Sequence, residues 1–222
     1  MVAMRHPCNV RGKVGQGARM AVIKEVLFVL LAGGQSRRMG GGDKNLLDLA
    51  GQPVIKHVIA RAVPKGAPAI INANGDAARY ASFELPVVAD VIDGFAGPLA
   101  GILTGLEWAA ENRPNCSHVI SLATDAPFLP PDLATGLMDA VESGAELAQA
   151  QSNDRRHPVF AIWPVALAAA LRSSMVDDDV RKIDRFTANY SCKIVPFAGD
   201  PDPFMNLNTP EDIALAQQLL GG

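Results

Sequence analysis

The sequence predicts an α/β fold: a mostly parallel, Rossmann-like sheet with helices on both faces. Three observations predict it. Short apolar runs bounded by glycine or proline, such as residues 26–32, read as strands covered on both sides. Segments with apolar residues at helical spacing fall between those runs. Hydrophobic residues make up 49% of the 222 positions and charged residues 19%. That supplies a core through most of the chain and excludes general disorder.

Residues 1–21 lack hydrophobic periodicity and are expected to form a disordered or loosely attached tail, with Met20 an alternative start. Residues 22–222 are expected to form one domain. The first strand covers 26–32. Residues 52–62 then place Val54, Ile55, Val58, Ile59 and Ala62 on one helical face, with Pro53 at the helix start. Strands are expected at 69–71 and 86–89, a helix at 98–110, a strand at 118–123 and a helix at 131–141. Residues 159–163 and 193–197 are later strand candidates, whereas the acidic stretch 173–179 reads as a solvated loop. Thr209-Pro210-Glu211-Asp212 opens the last helix, with Thr as cap, Pro as first helical residue and carboxylates at the positive end.

Composition narrows the function. The net charge of −3 supplies no basic face for nucleic acid, and 5% aromatic residues give no stacking platform. The longest apolar run near the start is far short of the ~20 residues that span a bilayer. Cys8, Cys116 and Cys192 stand far apart with no CxxC pair, which points to a reducing, cytoplasmic setting rather than a disulfide scaffold or structural zinc.

In a parallel sheet, ligands bind beyond the carboxyl ends of the strands. The first such end opens into Leu31-Ala32-Gly33-Gly34-Gln35-Ser36-Arg37-Arg38-Met39-Gly40-Gly41-Gly42-Asp43-Lys44. Glycines let successive backbone N–H groups converge on an anion. Arg37, Arg38 and Lys44 bring charge suited to phosphate oxygens. The spacing fits neither a Walker A loop nor a Gly-x-Gly-x-x-Gly fingerprint.

This loop, with Asp43-Lys44 and then Leu46-Leu47, resembles the signature of the molybdenum cofactor guanylyltransferases, members of the nucleotidyltransferase fold of nucleotide-diphospho-sugar transferase type. Later segments agree in order: Asn72-Ala73-Asn74, Asp90, Gly97-Pro98-Leu99-Ala100-Gly101, Thr124-Asp125-Ala126-Pro127, His157-Pro158 and Asn206-Leu207-Asn208-Thr209-Pro210-Glu211-Asp212. The resemblance spans about residues 25–220.

The resemblance implies transfer of GMP from GTP to Mo-molybdopterin, with release of diphosphate. It implies Mg²⁺ as cofactor, and other cofactor-biosynthesis proteins and target apo-enzymes as partners. Rival readings are cytidylyl transfer to the same cofactor, a sugar-phosphate nucleotidyltransferase, and a non-catalytic cofactor carrier. Lys44, with Arg38 as a second cation, is expected on the triphosphate. Asp125 ends an apolar strand, where it suits Mg²⁺ or a helix cap. Asp90 is expected on the nucleotide, with service as a second metal ligand the lesser alternative and Asp93 a competing choice. Leu31, Ala32 and Gly33 are expected to offer backbone to guanine or ribose, and Asn72 an amide to a purine edge or a turn. Arg155, Arg156 and His157 fit either the pterin phosphate or a polar loop before a strand, and Asn206 and Asn208 the same end of the pocket.

Overall fold

The computed structural model describes residues 25–33, 43–94 and 97–221. The expected tail and Met20 lie outside them.

Strand β1 (Val26–Leu31) is followed by a short hairpin of β2 (Asp48–Leu49) and β3 (Gln52–Pro53), and by helix α1 (Val54–Ala62). Next come β4 (Ala69–Asn72), β5 (Val87–Val88), helix α2 (Pro98–Asn112) and β6 (His118–Ala123). Helix α3 (Leu133–Glu142) leads to β7 (Leu147–Ser152) and β8 (Arg155–Pro164). The chain closes with α4 (Ala168–Val176), α5 (Ile183–Thr187), β9 (Cys192–Pro196) and α6 (Pro210–Gly221). The main sheet runs β5-β4-β1-β6-β8-β7-β9. Only its β6–β8 and β7–β8 pairs are antiparallel, so β8 alone runs against the other six.

Side-chain alternation along β1 explains how both faces are covered. Phe28 and Leu30 point into a core completed by Ile55 and Val58 of α1 and Leu137 of α3. Leu27 and Val29 point into a second core with Leu99, Leu103 and Leu106 of α2. Helix α2 lies unusually close to the sheet. A Cβ on Gly105 would come within 2.3 Å of Val29, and one on Gly101 within 2.2 Å of the Asn72 amide oxygen.

Four expectations need correction. Pro53 lies just outside α1, in β3, because residues 48–53 turn back on themselves before the helix starts. Residues 173–176 belong to α4, whose Leu171 and Met175 are buried in the second core; the acidic run begins only beyond it. β7 has no counterpart among the expected strands. Arg155, Arg156 and His157 are not a loop but the start of β8, because Asn153 and Asp154 adopt positive φ and close a two-residue hairpin turn. Pro158 is tolerated in this internal strand because the β7–β8 register shifts there.

Candidate active site

The carboxyl ends of β1, β4, β5 and β6 open onto one cavity of about 1060 Å³. Leu31, Ala32 and Gly33 line it from the end of β1, Asn72 from β4, and Asp90 and Asp93 from the segment after β5. Asp125 lines it from the end of β6, and Lys44 from a single 3-10 turn, Lys44–Leu46. Asn206 and Asn208 close the wall before α6. Arg38 lies outside the described residues. Arg155, Arg156 and His157 do not line the cavity.

Asp125 is the electrostatic focus. Its Oδ1 is buried without a hydrogen-bond donor. Burial pushes its carboxyl above the ordinary 3.8, opposed by its own backbone N–H and by Lys44. Its backbone carbonyl accepts from Leu207 N at 2.8 Å, which ties the last segment to the end of β6. Asp125 lines the cavity, and a carboxylate there with one unpartnered oxygen fits a hard divalent cation, which takes oxygen ligands and keeps several waters. Among the described residues, no three His, Cys, Asp or Glu side chains cluster as a closed metal site. The arrangement therefore suits an ion completed by substrate oxygens, rather than a structural metal.

Lys44 Nζ donates to Asn208 Oδ1 at 3.1 Å. The Asn208 side chain thus faces the site while its backbone N–H serves the last helix, donating to Asp212 Oδ2 at 2.8 Å. Thr209 Oγ1 accepts from Asp212 N at 3.2 Å, as the cap reading expects.

Asn72 behaves differently from a simple purine reader. Its Nδ2 donates to Val88 O at 3.2 Å and to Asp90 Oδ1 at 2.9 Å, so both amide hydrogens are used within the protein. Asn74 adds a donor to Asp90 Oδ2 at 2.7 Å and accepts from Asp90 N at 2.9 Å. The Asp90 carboxylate is held rigidly, and each oxygen keeps capacity for another donor. Next to it, Thr104 Oγ1 accepts from Val91 N at 3.1 Å. The Gly-Pro-Leu-Ala-Gly segment also finds its physical reason. Gly97 takes a φ of 140° that glycine favours, Pro98 is the first helical residue, and Gly101 makes room for Asn72.

Among the described residues other than its chain neighbours, none has an atom within 4 Å of where a Cβ on Gly33 would sit. Its small size answers to no packing need within the described protein, and it leaves the rim open to a ligand.

His157 bonds Ser152 Oγ through Nε2 at 2.8 Å and stacks on Phe204 at 4.5 Å between ring centroids. Ser152 Oγ donates to Asp202 Oδ1 at 2.7 Å. The serine proton is already committed to the carboxylate, so this trio holds the β7–β8 hairpin and does not activate a nucleophile. His57 Nε2 meets Leu49 O at 2.7 Å and His118 Nδ1 meets Ser117 Oγ at 2.8 Å, both packing roles.

Sequence reasoning assigned no role to Asn45, which also lines the cavity, nor to Arg79 and Tyr80, which brace the two residues flanking Lys44 from outside it. The available signal was Asn45 itself, a polar residue leading into the apolar pair Leu46-Leu47.

A cavity at the carboxyl ends of a mostly parallel sheet, with a cation and a buried carboxylate facing it, defines a nucleotide-binding α/β transferase. A family model for the MobA-like NTP transferase domain matches residues 28–191. The chain belongs to this family. It is 50% identical over 193 residues to the molybdenum cofactor guanylyltransferase of Rhodopseudomonas palustris strain BisB5, covering 86% of this chain and 92% of that protein. It is 46% identical over 202 residues to the protein of that name from Mesorhizobium japonicum, covering 89% and 97%. Among solved structures, the Archaeoglobus fulgidus molybdopterin-guanine dinucleotide biosynthesis protein A superposes with a TM-score of 0.70 at 21% identity, covering 88% of this chain and 98% of that one. A 4-diphosphocytidyl-2C-methyl-D-erythritol synthase from Anaerococcus prevotii gives 0.69 at 13%, covering 91% and 99%. These two likenesses establish the fold. No helix among the described residues is long and apolar enough to cross a membrane.

Proposed function

We propose that the protein transfers the GMP unit of GTP to the terminal phosphate of Mo-molybdopterin, forming the guanine dinucleotide cofactor and diphosphate. The observation that carries this reading is the shared cavity: Lys44, Asp125 and the Leu31–Gly33 backbone belong to three separate segments and line one space of nucleotide size. Relatives at 46% and 50% identity that bear the guanylyltransferase name support the same reading.

In this reaction a phosphate oxygen of the acceptor forms a bond to the α-phosphorus of GTP, and the α–β bridging bond breaks with its electrons leaving on diphosphate. Such chemistry asks for in-line placement and charge neutralisation. Lys44 neutralises the departing diphosphate, with Arg38 as a second cation. Asp125 holds Mg²⁺, which when bound supplies charge neutralisation on the phosphates. Asp90 accepts from the nucleoside, held for that contact by Asn72 and Asn74. Leu31, Ala32 and Gly33 present backbone to the guanosine. The reading places the enzyme in the cytoplasm, handing its product to apo-enzymes together with other cofactor-biosynthesis proteins.

The test is purified protein with GTP, Mg²⁺ and Mo-molybdopterin, followed for diphosphate and dinucleotide. Turnover with GTP and none with CTP is the expected result. Equal use of CTP overturns the base assignment. Cofactor binding with no diphosphate from either nucleotide makes the protein a carrier.

A further inference from the structure

Lys44 is partly buried; its Nζ hydrogen-bonds Asn208, and among the described residues its charge also acts on Asp125 and Asp212. Its aim depends on its backbone. Both of its neighbours in sequence are anchored, and to consecutive residues of one 3-10 segment, Ala77–Phe83. On the outer side, Asp43 Oδ2 pairs with Arg79 Nη1 at 2.8 Å. Arg79 also donates to Asn74 O, and Asn74 holds Asp90. On the inner side, Asn45 is 4% exposed, and its Nδ2 donates to Tyr80 Oη and to Thr124 Oγ1, each at 3.2 Å. Tyr80 is fully buried. Thr124 Oγ1 donates onward to Leu31 O at 3.0 Å.

The inner chain of bonds therefore ends on the last residue of β1 and on the residue before Asp125. Asn45 occupies a place where leucine would serve packing alone. A buried amide is costly unless its hydrogen bonds are made, and here both donors are satisfied. What the polar bonds add over an apolar contact is direction. They fix the Lys44 turn against the two strand ends that carry the rest of the site.

We infer that Asn45 and the Arg79–Tyr80 pair are positioning residues that aim Lys44 at the triphosphate, the amide acting from inside the fold and the ion pair from its rim. The inference rests on the GTP reading above, but its test separates from it.

GTP binding is measured by equilibrium dialysis in EDTA, where protein cations alone neutralise the triphosphate. Lys44→Ala is expected to weaken binding about tenfold, the loss of one charge-assisted hydrogen bond. Asn45→Ala is expected to weaken it roughly three- to tenfold when Lys44 is present, and not further when combined with Lys44→Ala. Tyr80→Phe, which removes the hydroxyl that Asn45 bonds and lies outside the cavity lining, is expected to show the same pattern and serves if Asn45→Ala does not fold. Equal losses with and without Lys44, or no loss in either, overturn the inference. Wild-type protein that binds no GTP overturns the functional reading instead. In turnover assays at saturating GTP and Mg²⁺, Asn45→Ala is expected to lower kcat by up to about a hundredfold, as a displaced charge would. An unchanged kcat again overturns the inference.

Discussion

At the scale of single residues, Asp125 carries the sharpest consequence. Its carboxyl sits above the ordinary 3.8 because it is buried, so folding takes up a proton in the window above that value. The folded state is then favoured while the group is protonated, and stability is lost as pH rises through the window. Above that window the free protein bears the cost of an ionised carboxylate with one unpartnered oxygen. Asp125→Asn is expected to abolish turnover and yet raise Tm in calorimetry at pH 7, by about 2–4 °C for each kcal/mol recovered. The same substitution should flatten the pH dependence of Tm between pH 4 and neutrality. His157 works in the opposite sense. Burial lowers its pKa from 6.5, although Asp202 pulls it upward. It favours folding while neutral, and that contribution is lost as pH falls below 6.5. His157→Gln should therefore shrink the loss of stability between pH 7 and 5 in denaturant titrations.

At the scale of elements, the packing of α2 on the sheet is the most exposed to test. Gly105→Ala forces a methyl against Val29 and is expected to cost about 1–3 kcal/mol, read from the denaturation midpoint. Gly101→Ala strikes Asn72, and through it the bond to Asp90, so it should weaken nucleotide binding as well as stability. Much of this layout was legible in the sequence. Residues 26–32 and 118–123 are apolar runs ending at a turn, and both are central strands. Pro98 and Pro210 mark their helix starts correctly. Other elements hid for identifiable reasons. Residues 147–152 alternate small and polar side chains, and Ser152, Gln149 and the alanines are buried only because β8 and β9 flank them. Asn153-Asp154 is a hairpin turn signal, masked by the cationic pair and Pro158 that follow it. The β2–β3 hairpin is too short to leave a period. In the site, residues after strand ends were readable because the sheet presents them together. The clamp around Lys44 was not, since Arg79 and Tyr80 reach it only through tertiary packing of a segment with no strand or helix period.

At the scale of the whole molecule, ligand binding and folding are linked. GTP with Mg²⁺ at 100 times its dissociation constant should stabilise the protein by about 2.7 kcal/mol, and CTP at the same concentration by markedly less. Thermal unfolding with each nucleotide measures the difference, and equal shifts would remove the base preference. The gain with GTP should be largest where Asp125 is ionised, because the cation relieves the charge that weakens the free protein.

The outermost strands of the sheet bear on how copies of the chain can meet. β5 has two residues and follows Pro86; β9 carries the exposed Lys193 and stops at Pro196. A chain seeking a backbone to zip against finds a two-residue stub on one border and, on the other, a strand bearing a cation and ending in an imino ring, both poor templates for lateral growth.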